Sequence, residues 1–163
     1  MPNSARWFLL AAAIIVADFA TKAWVLAVFR PFEQIEVTGF FNLVLVFNTG
    51  AAFSFLANAG GWQKWFFVIL ALGISGWLIV MIRQHAAERL QPTAFALVLG
   101  GALGNVIDRV RFGMVVDFLD FHLAGWHWPA FNVADSAITV GVALLLWHAF
   151  THKDAHDGNG QAR

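Results

Sequence analysis

The stretch "TAFALVLGGALGNVIDRVRFGMVVDFLDF", Thr93–Phe121, carries no charge from Thr93 to Ile107 and then presents Asp108, Arg109, Arg111, Asp117 and Asp120 in quick succession. Its first part is long enough, over 93–110, to cross a hydrocarbon core, which takes roughly 20 residues at about 1.5 Å of rise each. An ionisable group inside such a run costs a few kcal/mol, so it faces a protein interior and has a partner. The stretch therefore reads as a membrane helix that ends in something more than a loop.

The rest of the chain agrees. Of 163 residues, 60% are hydrophobic and only 12% charged, with 17 Phe and 8 Trp, a composition outside the soluble globular range. Besides 93–110, three more apolar runs fit a membrane crossing, at 7–28, 65–82 and 133–150. The expected architecture is an all-α membrane protein with a small β element, a single transmembrane domain over 1–163 whose residues 151–163 form a flexible polar tail. The first run resembles a secretory signal in having Arg6 ahead of it, but Asp18 and Lys22 interrupt it and no small-residue cleavage site closes it, so it is expected to stay. A formal net charge of zero argues against a nucleic-acid partner, and the absence of cysteine excludes disulfides, thiol catalysis and thiolate metal sites.

The segment "PFEQIEVTGFFNLVLVFN", Pro31–Asn48, follows a period of two, with Ile35 and Val37 alternating with polar residues and Phe41, Leu43, Leu45 and Phe47 on one face. It predicts a ribbon that breaks at Asn48-Thr49-Gly50. Sheet edges cannot lie in lipid, so this ribbon belongs at a water interface or under protein cover. Trp62, Trp65, Trp126 and Trp128 fit an aromatic belt near span ends. With both termini inside, Arg6, Arg83, Arg89, Lys153 and Arg163 fall on the inner side, against Arg30, Lys64, Arg109 and Arg111 outside, a slight positive-inside bias.

Several polar groups need an explanation. Asp18 and Lys22 are four apart on one helix face, in the order that favours pairing, and suit either a structural pair or a site. Asn105, Asp108 and Arg109 share a face at the end of the third span. Charges snorkelling to the interface explain Asp108, Arg111 and Asp120, but not Asn105, a turn deeper. Asn132 and Asp135 open the fourth span like an N-cap and third helical residue. Asp117 has apolar neighbours, Val115, Phe118 and Phe121, which raise a carboxyl's pKa by desolvation. On a topology with the first and third spans running outwards, all of these collect near one membrane level.

Two carboxylates from different elements, Asp117 and Asp135, suit peptide hydrolysis in which one holds a proton while the other activates water. Zinc chemistry has no H-E-x-x-H to rest on, and Ser54 and Ser136 lack a nucleophile elbow. His148, His152 and His156 recur at four-residue spacing but straddle a helix end, and no metal or other cofactor is expected. A small transporter or proton channel, or a lipid-binding scaffold, is the competing reading.

The segments "DFATK" (Asp18–Lys22), "FNTGAAFSFL" (Phe47–Leu56), "GGALGNVIDRVRFGMVVDFLDF" (Gly100–Phe121) and "WPAFNVADSAITVG" (Trp128–Gly141) resemble, in order, those of the lipoprotein signal peptidases, or signal peptidase II, which are bacterial intramembrane aspartyl proteases. The resemblance implies four transmembrane helices with both termini cytoplasmic and a small extracytoplasmic β-sheet cradle. It implies a multi-pass protein of the bacterial cytoplasmic (inner) membrane with its site near the outer face. Its substrates would be prolipoproteins whose lipobox cysteine carries diacylglyceryl, cut just before that cysteine, and its inhibitors cyclic peptides of the globomycin type. The catalytic pair maps to Asp117 and Asp135. Asn48, Gly50, Asn105, Arg109, Asn132, Asp18 and Lys22 map to substrate-binding or positioning places. Phe19 stands where relatives often carry Gln.

Overall fold

The computed structural model describes residues 4–49 and 61–157, with side chains to 151. Gly50 and the remainder of its motif, as well as the side chains of His152 and His156, lie outside the described residues. Four helices are long and apolar enough to cross a membrane: α1 (Ala5–Val28), α2 (Gln63–Gln84), α3 (Leu90–Phe112) and α4 (Val133–Asp157). Four antiparallel strands form one sheet in the order β1 (Gln34–Thr38), β2 (Phe41–Asn48), β3 (Val115–Leu123) and β4 (Trp126–His127). This is the expected membrane protein, mostly helical with a small sheet. One difference is α4, which continues through Thr151–Asp157 where a loose tail was expected. No glycine or proline lies between Gly141 and Gly158, and Thr151 Oγ1 donates to the Trp147 carbonyl at 2.9 Å.

Helix α3 is the hub: it packs against α1, α2 and α4. Small residues make this possible, because lipid gives helices no hydrophobic drive to associate and close backbone approach must supply the attraction. A Cβ at Gly100 would lie 2.7 Å from the Ala11 carbonyl oxygen, and one at Gly101 would overlap the Ala134 carbonyl oxygen. The glycines thus admit α1 on one side and α4 on the other. The helix stops at Gly113, whose left-handed φ of 77° lets its N–H close on the Arg109 carbonyl at 3.0 Å. That turn sends the chain directly into β3.

The sheet sits on the bundle end where α1 and α3 finish and α2 and α4 begin. Val25 and Phe29 of α1 pack with Leu45, Val116 and Phe118, fixing one sheet face to the helices. At the other end Arg6 and Trp7 both donate to the Ala86 carbonyl at 3.2 Å, tying the start of α1 to the α2–α3 connector. The expected alternation in β2 fails at Val44 and Leu45, which are both buried. A bulge there places two residues, Val44 and Leu45, against one, Phe118, between the Leu43–Leu119 and Val46–Asp117 pairs. No alternation marks β3, because Val115, Val116, Asp117 and Phe118 are buried on both faces, as in a central strand. The β3–β4 hairpin turns at Ala124 and Gly125 with φ of 50° and 81°, the mirror-image turn that two-residue hairpins favour.

Candidate active site

Lys22 is the centre of the polar cluster. Its ammonium, 3% exposed, lies 2.7 Å from Asp18 Oδ2 and 2.8 Å from Asp108 Oδ2, and donates to Asn105 Oδ1 at 3.1 Å. A buried ammonium with three donors needs this many acceptors to offset its desolvation. Asp18 also accepts the Ala134 N–H at 2.9 Å, so a carboxylate from α1 caps the first turn of α4. The pair is therefore a tie between helices as well as an intrahelical pair.

Asp108 corrects the sequence reading. It is not an interface charge: it is 3% exposed, pairs with Lys22 and accepts the Val116 N–H at 3.0 Å. Its place on the Asn105 face turns it towards α1, and the chain folding back as β3 seals it. Asp120 is likewise buried, because it faces Asn42 across the β2–β3 pair, accepting its amide at 2.8 Å and bonding His127 Nδ1 at 2.9 Å. Arg111 does keep an exposed position, with its guanidinium over the rings of Phe19 and Phe112. Phe19 thus points away from the cluster.

Asn132 links the rest. Its Oδ1 accepts the Asp135 N–H at 2.8 Å, the expected helix cap. Its amide donates to Asp117 Oδ1 at 2.7 Å, Asn105 Oδ1 at 3.2 Å and the Val116 carbonyl at 3.2 Å. Asn105 in turn donates to Asp135 Oδ1 at 2.7 Å. Asp117 and Asp135 are therefore joined through Asn132 and Asn105, with Asn48 donating to the free Asp117 Oδ2 at 3.0 Å. The β2 bulge is what brings Asn48 beside Val115 and within reach of that oxygen. Burial, and then the nearby Asp135 carboxylate, push the Asp117 carboxyl up to about 7, against the opposing amides of Asn48 and Asn132 and the Lys22 charge.

Arg109 donates to the Asn105 carbonyl at 3.3 Å and lies 5.2 Å from the Phe67 ring centroid. Its Nε is buried with no hydrogen-bond partner among the described residues. With Asp135 and Asn105 it lines a cavity of about 290 Å³ whose other walls are apolar, including Phe67, Leu70 and Ile74 of α2 and Ile138 of α4. Of the residues singled out in the sequence, Asp18, Lys22, Asn48, Asn105, Arg109, Asn132, Asp117 and Asp135 meet at one end of the bundle, and Gly50 lies outside the described residues. Asp108 is the member the sequence missed. Its signal was the three-residue spacing from Asn105.

A membrane-spanning bundle with two carboxylates linked through buried amides defines a polytopic membrane enzyme. The comparisons make the class specific. The family described as Signal peptidase (SPase) II matches residues 10–151. A lipoprotein signal peptidase of Azoarcus sp. (strain BH72) is 61% identical over 86% of this chain and 80% of its own. One from Janthinobacterium sp. (strain Marseille) is 52% identical over 86% of each. A bacterial membrane enzyme solved by the in meso method superposes with a TM-score of 0.82 at 31% identity, covering 98% of this chain and 94% of its own. The chain belongs to the signal peptidase II family, and it is a protease embedded in a membrane.

Proposed function

We propose that Asp117 and Asp135 are the catalytic pair with which this peptidase cuts diacylglyceryl-modified prolipoproteins just before the lipid-bearing lipobox cysteine. The carrying observation is the Asp117–Asn132–Asn105–Asp135 chain of hydrogen bonds, which ties a carboxylate from β3 to one from α4. Family membership supports the substrate class.

Chemically, one carboxyl of the pair starts protonated and donates to the scissile carbonyl oxygen. The other carboxylate takes a proton from a water that attacks the carbonyl carbon. The tetrahedral intermediate collapses as a proton passes to the leaving cysteine nitrogen. No covalent intermediate forms and the proton count of the pair is restored. The amides of Asn132 and Asn105 hold both carboxylates in place through the cycle. Arg109 lines the cavity, where its guanidinium holds the substrate backbone or a lipid oxygen. Asn48 holds Asp117, and Asp18 and Lys22 brace the site from α1.

The apolar walls of the α2–α4 cavity suit the hydrophobic run of a signal peptide, delivered laterally from the bilayer. This reading places the site near the outer face of a bacterial cytoplasmic membrane, with both termini cytoplasmic. A substrate held at the interface by its acyl chains meets a pair at that level without leaving the membrane. Cyclic peptides of the globomycin type would compete for the same pocket. Asp117→Asn and Asp135→Asn, each expressed at the wild-type level, should lower cleavage of a diacylglyceryl-modified precursor by about a thousandfold or more. Retained turnover in either variant overturns the pair.

A further inference from the structure

The far tip of the sheet carries an aromatic cup that the peptidase chemistry leaves unused. Phe40, Phe121, Leu123, Trp126, Trp128 and Phe131 surround a cavity of about 490 Å³ whose lining is almost wholly apolar. Phe121 is stacked on Phe131 with ring centroids 5.9 Å apart, and Trp126 meets Trp128 edge to face at 5.7 Å, so the walls are built by mutual contact. Yet Leu123, Trp126 and Trp128 are more than half exposed, at 74%, 62% and 58%. Exposed apolar surface of this kind marks an interaction site.

Its position identifies the occupant. Trp126 and Trp128 precede α4 on the bundle end that also carries exposed Trp62 and Trp65 at the start of α2, the arrangement of an aromatic belt at a membrane–water interface. On β3, residues of one parity share a face, so Phe121 and Leu123 lie on the same face as Asp117. The other parity, Val116 and Phe118, packs on α1. Four residues of strand separate Asp117 from Phe121, or about 13 Å. In a cysteine carrying diacylglyceryl, about seven bonds run from the cysteine nitrogen to the first acyl carbonyl, roughly 8 Å when extended. A lipid cysteine cut at Asp117 and lying along β3 therefore brings an acyl chain into the cup within its first few methylenes.

We infer that this cup at the β3–β4 tip is the subsite for one acyl chain of the substrate's diacylglyceryl group. The assignment rests on the proposed peptidase reading and specifies where its lipid goes. Apart from His122, which also lines the cup, recognition there is by apolar contact, so it discriminates chain length.

Two measurements on the full-length protein in nanodiscs test it. In the first, lipobox peptides bearing dipalmitoylglyceryl or diacetylglyceryl are cleaved by wild type and by the exposed-rim variants Trp126→Ala and Leu123→Ser. The ratio of kcat/KM for the long-chain over the short-chain peptide should fall about tenfold in the double variant. A ratio equal to that of wild type overturns the subsite. In the second, a lipopeptide with a diazirine near the end of one acyl chain is photolysed with Asp135→Asn, and the labelled peptides are mapped. Label on Phe121–Trp128 supports the cup, and label confined to α2 or α4 overturns it. Wild type that cuts the lipopeptide but labels elsewhere removes the subsite and leaves the peptidase reading intact. Wild type that labels at the cup but never cuts removes the peptidase reading and leaves the lipid site.

Discussion

Asp117 sits between opposing influences, and its behaviour with pH follows from their balance. Burial and Asp135 hold its carboxyl near 7 in the folded protein, against 3.8 for an ordinary aspartate. Between about pH 4 and pH 7 the folded state keeps a proton that the unfolded chain has released, so this group's contribution to stability falls as pH rises through that window. Asp117→Asn removes the buried charge. The difference in Tm between Asp117→Asn and wild type in detergent should therefore widen in favour of the variant from pH 5 to pH 8; a constant difference would rule out the raised carboxyl. Activity should decline on the alkaline side as Asp117 loses its proton near 7. Asn48 donates to Asp117 and pulls its carboxyl down. Asn48→Ala should accordingly move the alkaline limb of the kcat/KM profile to higher pH, whereas an unmoved limb would place Asn48 outside the titrating unit. Much of this was legible in the sequence, since an ionisable or amide group in an apolar run must face protein, and Asn105, Arg109, Asn132 and Asp135 all obey that rule. Asp108 was not, because at a span's end burial and snorkelling look alike until β3 is known to fold back over it.

Between elements, the site depends on ties that no local pattern announces. The hydrogen bond from the Ala134 N–H to Asp18 joins residues 116 apart in sequence, and the Lys22 ammonium joins α1 to two carboxylates and an amide. Removing that ammonium alone leaves Asp18 and Asp108 buried and facing each other unpaired, which costs about 3–5 kcal/mol. Lys22→Met should lower Tm sharply in thermal unfolding, and adding Asp18→Asn and Asp108→Asn should restore most of the loss. Failure of the triple variant to recover would mean that the ion pairs specify the helix arrangement and do not merely neutralise one another. The same logic separates what periodicity revealed from what it hid. The strand β1 was readable from its period of two, Ile35 and Val37 alternating with Gln34, Glu36 and Thr38, whereas the alternation in β2 breaks at its bulge. The strand β3 was not, because Val115–Phe118 is buried on both faces and carries no alternation to read. The use of Gly100, Gly101 and Gly104 emerges only from the Ala11 and Ala134 carbonyls and the Asp18 carboxylate lying against them.

Across the whole molecule, the polar site and the connector Gln84–Arg89 lie at opposite ends of the bundle, so the proposed chemistry demands one orientation. Counting free cations now favours it more than the sequence alone did. Arg109 is held inside the site and Lys22 is consumed by its carboxylates, so neither counts as a free loop charge. With both termini on one side, the sequence then sets Arg30, Lys64 and Arg111 on the sheet side against Arg6, Arg83, Arg89, Lys153 and Arg163 on the other, Arg6 being tied to the Ala86 carbonyl. Positive residues near span ends favour the cytoplasmic side, which supports the proposed orientation with the sheet and the carboxylates outside. The chain has no cysteine, so single cysteines report position without a background to remove. Gly39 lies in the open β1–β2 turn with nothing within 4 Å of an added Cβ, and Ala87 is exposed in the connector. In intact spheroplasts a membrane-impermeant maleimide should label Gly39→Cys at once and Ala87→Cys only after permeabilisation. The reverse pattern would put the carboxylates on the cytoplasmic side, out of reach of a lipobox whose cysteine is anchored in the outer leaflet.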